Sequence, residues 1–470
     1  MQKIRFGTDG WRGIIADNYT FENVRIIAQA TAEYVKEKGT SARGIAVGYD
    51  YRFMSETYAM LVAEILAANG VQVLLGQEAV PTPALSYIVK KNNCAGGVMI
   101  TASHNPPHWN GVKFKGEYGG SAIPAITKDI EKHLYKTDPK KVDEVTRKNI
   151  VMTDLVTPYL EQLKSLVDLK KISDSKLTVV HDGMHGSGKN YLEKLLEGTD
   201  CKVISIRSNR DCLFGGVLPE PIPKNTQILI DTIKKEKADL GVATDGDADR
   251  LGITDSNGVF VWPHYSFPLL YEHLTQNRGW TGEVVHTVSL APIIDKLIEQ
   301  NGGGKVTEVP VGFKNVCEIM LERDVLIGGE ESGGIGFKNH IPERDGLLIA
   351  LLTLEMLATT GKSLSELVKD LENRFGAFCY DRIDAHLEDS KRLGLIQRLR
   401  DNPPAEFAGI PVEKVCLLDG IKFSFHGNGW LLIRASDTEP VVRLYAGSET
   451  MDNTWKILNA GKALCGITDI

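Results

Sequence analysis

The chain has no excess of basic residues, no long apolar run and no pairable set of cysteines, and each lack excludes something. With 54 Lys and Arg against 61 Asp and Glu, its net charge of −7 argues against the basic face of a nucleic-acid binder. A local basic pocket for a sugar phosphate stays open. No stretch reaches the roughly 20 apolar residues of a membrane span. The opening MQKIRFGTDGWRG contains no apolar core of a signal peptide. The seven cysteines (94, 201, 212, 317, 379, 416 and 465) are odd in number, scattered and without a C-x-x-C. Disulfides and a zinc site are therefore not expected, and a reducing, cytoplasmic setting is.

What is present is ordinary globular composition, 42% hydrophobic and 24% charged. A length of 470 residues exceeds the about 250–300 that a single core serves. One unit recurs. Residues 43–49 read as a buried strand, followed by a polar loop, a helix over about 57–69 and a strand at 71–75. The same plan returns over 176–206, as LTVVHD, GMHGSGKN, YLEKLLEG and CKVISI, and over 283–309, as EVVHTV, APIIDKLIEQNGG and KVTEVP. Strand, helix, strand at this spacing is a βαβ unit. Three copies predict three related α/β domains, at 1–150, 151–257 and 258–375. After the helical stretch 363–375, glycine- and asparagine-broken strands and a final helix predict a smaller α+β domain over 376–470.

Four loops carry chemistry. Thr101-Ala102-Ser103-His104-Asn105-Pro106 follows the apolar run GGVMI, so Ser103 is held out on a turn at a strand end. A serine hydroxyl needs a group to orient or deprotonate it, and His104 and Lys113 are the nearest candidates. Alone, the same residues also read as a hydroxyl-stabilised turn with proline punctuation. Asp245, Asp247 and Asp249 alternate with Gly246 and Ala248 between two strand-like runs, and can converge on a hard cation. An EF-hand is excluded because Arg250 stands where its glycine belongs and Ser256 where its glutamate belongs. A solvated acidic turn is the alternative. Glu330 and Ser332, on the glycine-rich run 328–334, suit vicinal sugar hydroxyls; a flexible acidic turn is the rival. Arg434, Ser436 and Thr438 form a phosphate cradle in a tight turn, with Asp437 an anion that must face away. The rival there is a plain hairpin turn. A fifth segment, Gly183–Asn190, matches G-x-x-x-x-G-K, but Asn190 replaces the Ser or Thr that a P-loop puts on Mg²⁺. A P-loop NTPase is the different-class alternative.

Together the four loops resemble the α-D-phosphohexomutase family, along the whole chain and in family order; TASHNP and DGDADR carry the resemblance most specifically. It implies four domains around a central cleft, each giving one loop. It implies a phosphoserine at Ser103 and Mg²⁺ on Asp245, Asp247, Asp249 and the serine's phosphoryl group. Sugar hydroxyls fall to Glu330 and Ser332, and the non-reacting phosphate to Arg434, Ser436, Asp437 and Thr438. Arg12, His104, Asn105, Lys113 and Arg250 line the cleft. Some members carry a histidine where this chain has Gly334, which turns attention to Lys314 for the missing contact. Many members have a glycine in place of Asp437. The implied activity interconverts hexose 1- and 6-phosphates through a hexose 1,6-bisphosphate, with glucose 1,6-bisphosphate as activator. Glu331 favours the glucomutase side over the glucosamine side, where Gln is usual, and mannose is expected alongside glucose. A bisphosphate synthase and a phosphoglucosamine mutase are alternatives within the family, and a sugar-phosphate sensor is one outside it. No nucleic-acid or membrane partner is expected; monomer and homodimer both fit.

Overall fold

Apolar residues and glycine at consecutive rather than alternate positions suit strands buried on both faces, which pair in parallel beneath helices. In the computed structural model, which describes residues 4–7, 10–387, 389–435 and 441–467, Ile45–Tyr49 and Gly96–Ile100 do this at the middle of a seven-stranded sheet. Val73–Gly76 and then Ile150–Thr153 extend it in parallel on one side. On the other side, Trp109–Gly116 runs antiparallel to Gly96–Ile100, and Trp11–Ile14 pairs beyond it.

The second and third sheets repeat this plan. Lys202–Ile206, Thr178–Asp182 and Leu240–Thr244 are parallel neighbours, and Leu251–Asp255 returns antiparallel beside the last. Val306–Val309, Glu283–Thr287 and Val325–Gly329 are likewise parallel, and Ile335–Phe337 returns antiparallel. The sequence repeat covers the first two strands of each unit. The third parallel strand and its antiparallel return complete the unit, and their turns place residues 101–108, 245–250 and 330–334 at equivalent points. The fourth sheet is antiparallel throughout, in the order Cys379–His386, Val441–Ser448, Trp430–Ala435, Ile421–Ser424 and Lys414–Cys416. Helix Met451–Leu464 packs on it.

Two sheets extend past the breaks expected at 150 and 257. Ile150–Thr153 still belongs to the first sheet and Phe260–Val261 to the second. Both are short edge strands, and Val151 and Met152 are exposed, so no buried pattern marks them in the sequence.

Helix Gly346–Thr360 (GLLIALLTLEMLATT) is apolar all round, the mark of a helix enclosed by protein. Its first twelve residues, Gly346 to Leu357, are all buried. It packs against helices Leu169–Ser175 and Tyr191–Leu195 and strand Leu251–Asp255, joining the third unit to the second. Among the described residues, no single helix is long and apolar enough to cross a membrane. Asp345 caps the helix by accepting from the Leu348 N–H at 3.0 Å, and it also accepts the Tyr159 hydroxyl at 2.8 Å. Leu351 is fully buried in this helix. Leu351→Ala should cost about 2–5 kcal/mol, the range for a large-to-small core change. Urea denaturation followed by circular dichroism should show the midpoint fall; an unchanged midpoint would show that this helix does not hold the units together.

Candidate active site

Ser103 follows strand Gly96–Ile100 and has φ +51°, a left-handed conformation uncommon outside glycine. The loop is held from below. Arg52 donates to the carbonyls of Ser103 and Asn105, both at 2.6 Å, of Pro106 at 2.8 Å and of Trp109 at 3.1 Å. Arg52 is fully buried, paired with Asp50 at 3.3 Å and set over the Phe214 ring at 4.9 Å. Burial pushes its pKa down to about 10, which leaves it charged at neutral pH. Asp50 in turn accepts the hydroxyls of Thr101 at 2.6 Å and Ser55 at 2.8 Å, and Thr101 accepts the Ser103 N–H at 2.9 Å. Sequence reasoning missed this clamp. The available signal was a charged D-x-R pair directly after the apolar strand RGIAVGY.

The turn after Leu240–Thr244 carries Asp245, Asp247 and Asp249, all fully buried, with ligand oxygens within 4.8 Å of one another. The Ser103 hydroxyl donates to Asp245 Oδ2 at 2.8 Å. The two loops meet this closely because residue 246 is glycine: a Cβ there would lie 2.4 Å from the Ser103 carbonyl oxygen. Lys113, fully buried on Trp109–Gly116, reaches Asp247 at 2.8 Å and Asp249 at 3.2 Å, and the Thr82 hydroxyl donates to Asp247 at 2.6 Å. Burial, with Asp247 and Asp249 adding repulsion, raises the Asp245 pKa well above the usual carboxylate value. Burial acts the same way on Asp247, but Lys113, Thr82 and Arg344 outweigh it and hold that carboxyl low. Asp247 Oδ1 and Asp249 Oδ1 are buried without a hydrogen-bond partner. Buried carboxylate oxygens left this way are costly, and an all-oxygen donor set suits a hard divalent cation. The cluster therefore fits a metal ion.

Cations also surround the serine. His104 Nδ1 lies 3.3 Å from Ser103 Oγ. Burial first, then the charges of Arg250, Arg12, Arg382 and Lys113, lower its pKa well below the usual histidine value, so the ring is neutral at pH 7. Arg12 bonds the side chain of Asn105. The Arg250 backbone N–H donates to Asp245 Oδ1 at 3.2 Å, while its buried Nε, 3.9 Å from Asp249 Oδ1, makes no hydrogen bond. Arg382, which no motif announced, comes from the fourth sheet and pairs with Glu220 of the second unit at 2.9 Å.

At the third turn, Glu330 accepts from the Gly312 N–H at 3.1 Å and from Arg344 at 3.2 Å. Burial raises its pKa against the pull of Arg344 and Arg250. Ser332 Oγ is buried and unpartnered. Glu331 takes the Ser289 hydroxyl instead. Lys314 sits half-buried in the first turn of helix Phe313–Glu322, two residues past Gly312; the side chain that fills the space beside Gly334 is Arg344. Ser436, Asp437 and Thr438 lie outside the described residues. Arg434, at the end of Trp430–Ala435, pairs with Asp419 at 2.6 Å. The P-loop-like segment 183–190 lies behind the aspartate turn, where the Ser187 N–H donates to the Gly246 carbonyl at 3.0 Å. Its Lys189 is taken by Glu78 at 2.7 Å, so the lysine that a P-loop turns to phosphate is engaged elsewhere.

Three repeated α/β units and an antiparallel fourth, with a serine set against a carboxylate cluster, define a phosphohexomutase, an intramolecular phosphotransferase. Sequence profiles for the α/β/α domains I, II and III of phosphoglucomutase/phosphomannomutase match residues 3–141, 157–258 and 262–375, and the profile for the C-terminal domain matches 395–457. A Thermococcus kodakarensis phosphoglucomutase/phosphomannomutase is 31% identical over 97% of each chain. A Sulfurisphaera tokodaii phosphoglucosamine/phosphogalactosamine mutase is 30% identical over 98% of each. A crystal structure assigned to a phosphomannomutase from Thermus thermophilus superposes with a TM-score of 0.88 at 36% identity, covering 98% of this chain and 99% of that one. The chain belongs to the phosphoglucomutase/phosphomannomutase family and is a mutase of that family.

The Arg52 clamp gives a prediction. Lysine keeps the charge but cannot reach four carbonyls from a planar fork. Arg52→Lys should lower kcat about 100-fold, the cost of displacing a reacting group by roughly 1 Å, with KM near wild type. Steady-state kinetics on a folded variant decides; wild-type kcat would mean the serine loop holds itself.

Proposed function

We propose that the chain interconverts hexose 1-phosphates and hexose 6-phosphates, glucose first and mannose alongside, through phosphorylated Ser103 and a hexose 1,6-bisphosphate. The observation that carries this reading is the Ser103 hydroxyl 2.8 Å from Asp245, inside a buried carboxylate cluster with orphaned oxygens and beneath several cations. Asp245, Asp247 and Asp249 would hold Mg²⁺, preferred over zinc because no His or Cys belongs to the set. When bound, it supplies Lewis-acid stabilisation of phosphoryl charge.

The chain's own residues do the rest. Arg12, Arg250 and Arg382 face the charge that spreads over the phosphoryl oxygens in a loose transition state. A substrate hydroxyl attacks the phosphoryl group on Ser103; the new O–P bond forms as the Ser103 O–P bond breaks. The attacking hydroxyl gives up its proton, and the serine oxygen takes one. His104, neutral and 3.3 Å from Ser103 Oγ, would handle those protons, with Lys113 as the second candidate. The bisphosphate then turns end for end and returns its other phosphoryl group to Ser103. Glu330 and Ser332 hold vicinal sugar hydroxyls in both orientations, and Arg434, with Ser436 and Thr438, holds the phosphate that is not reacting.

Ser103→Ala should lose on the order of 10⁴-fold or more in kcat, as removal of a covalent nucleophile does. Peptide mass spectrometry should find phosphate on Ser103 of the wild type, and excess chelator should stop turnover until Mg²⁺ is restored. Near-normal turnover of Ser103→Ala would refute the phosphoserine route.

The substrate follows from the third turn. Glu330 and Ser332 come from one short turn and reach only neighbouring hydroxyls; the family resemblance puts them on O3 and O4, which glucose and mannose share, so these C2 epimers are weakly discriminated. Glucose and mannose 1-phosphates should have kcat/KM values within about 10–100-fold, with glucosamine 1-phosphate slower. A side-by-side assay with glucose 1,6-bisphosphate present checks this. Preference for glucosamine 1-phosphate would favour the activity named for the Sulfurisphaera relative, and bisphosphate accumulating without mutase turnover would favour a synthase.

A further inference from the structure

Gly334 closes the turn from Val325–Gly329 to Ile335–Phe337, and its φ is not left-handed. A neighbouring side chain is what demands glycine there. A Cβ at 334 would stand 2.3 Å from Arg344 Cδ and 2.9 Å from its Cγ. Arg344 is 4% exposed and lies along this turn, with its guanidinium carbon 5.5 Å from the centre of the Phe313 ring. One terminal nitrogen donates to Asp249 Oδ2 at 2.6 Å, and the other donates to Glu330 Oε2 at 3.2 Å. Asp249 belongs to the second unit's turn and Glu330 to the third unit's turn, so a single planar cation spans the two.

Its backbone is fixed from both sides. The preceding residue, Glu343, is fully buried and accepts from Lys115 of the first unit at 2.6 Å and from Ser121 at 3.0 Å. Two residues on, the Gly346 N–H donates to the carbonyl of Ala248, inside the aspartate turn, at 3.2 Å. With its main chain pinned and its fork shared between two carboxylates, Arg344 sets the distance between them. It occupies one oxygen of Asp249 and leaves Oδ1 of that residue without a hydrogen bond. It also gives buried Glu330 the second of its donors.

We propose that Arg344 is a positioning residue that locks Asp249 to Glu330, so that the metal-binding and sugar-binding turns are aligned as one piece, and that Gly334 serves to make room for it. This rests on the functional reading of those two carboxylates given above. An arginine is required because its fork serves two acceptors at once, whereas an ammonium is a point charge.

The test uses the full chain in four variants: Arg344→Ala, Arg344→Lys, Gly334→Ala and the Gly334→Ala/Arg344→Ala pair. Calorimetry on the protein without sugar reads the Mg²⁺ dissociation constant, kinetics reads KM for glucose 1-phosphate, and a thermal melt reports folding. Arg344→Ala should weaken Mg²⁺ binding about 10–100-fold, the usual loss when a residue orienting a ligand is removed, and raise KM by about tenfold. Deleting a cation beside Asp249 would by charge alone tighten Mg²⁺ binding, so a weaker constant marks lost orientation and a tighter one overturns the proposal. Gly334→Ala, which displaces the arginine, should reproduce both losses. The pair should be no worse than Arg344→Ala; effects that multiply would overturn the link between the two positions. Arg344→Lys should recover at most one of the two constants, and it decides the matter with Gly334→Ala should Arg344→Ala fail to fold. Wild-type protein that binds Mg²⁺ but turns over no hexose phosphate would refute the function proposed above, while the Mg²⁺ measurements would still judge Arg344.

Discussion

A serine hydroxyl resting 2.8 Å from a buried aspartate, itself beside two more, is an arrangement that cannot stand without help. Three carboxylates in a low-dielectric interior lose their hydration and, where ionised, repel one another. Much of the surrounding architecture answers that problem. Lys113 from the first unit and Arg344 from the third each place a buried cation against the cluster, and Thr82 adds a hydroxyl. Arg250 adds a third cation, 3.9 Å from Asp249 Oδ1, yet one oxygen of Asp247 and one of Asp249 still accept no hydrogen bond. A cluster that is packed, enclosed and still short of donors to its oxygens is one shaped around a cation.

The threefold repeat explains how such a site can be assembled. In each α/β unit the turn joining the third parallel strand to its antiparallel return projects from the same point of the sheet. Three such turns, brought face to face, supply in order a serine, the aspartates and a glutamate. None would be active alone. The contacts that set them in register are buried ion pairs between units: Lys113 with Asp247, Lys115 with Glu343, and Arg344 with Asp249. Buried pairs of this kind add little net stability but are costly to break singly, a property suited to fixing one arrangement of units.

The residues legible in the sequence were those whose partners lie a few positions away. Ser103 in TASHNP and the aspartates of DGDADR announce themselves because each motif makes its own turn. The parallel strands were visible through their unbroken apolar runs. Arg52, Arg344 and Arg382 were invisible for a shared reason: each is an arginine whose purpose lies in a contact with another element, dozens to hundreds of residues distant. The edge strands Ile150–Thr153 and Phe260–Val261 escaped because strands stabilised by backbone bonds at a sheet edge need no buried pattern. The departure at Gly334 was legible as an absence, but the arginine that fills the space stands ten residues further on.

The fourth unit is attached differently from the other three. Its polar links include Arg382 with Glu220, Lys422 with Glu308 and the Val288 carbonyl, Asp419 with the Val311 N–H, Lys296 with Asn428, and the Tyr265 hydroxyl with the Phe378 backbone. In the ion pairs among these at least one partner keeps contact with solvent; the Arg382 side chain is 31% exposed and that of Glu308 35%. Half-exposed pairs of this kind contribute little. The fourth unit is therefore held chiefly by a buried aromatic seam, where Phe378, Tyr380 and Trp430 meet Trp262 and His264 of the third unit, rather than by the fully buried ion pairs that lock the first three. On the proposed function that asymmetry has a chemical reason. The serine must stay in register with the carboxylate cluster through both phosphoryl transfers, but the bisphosphate between them has to turn around. The grip on the outer phosphate must therefore loosen without disturbing the nucleophile. Asp419 allows this, because it keeps Arg434 paired at 2.6 Å in the structure as it stands. A departing phosphate then leaves behind a guanidinium that is already neutralised.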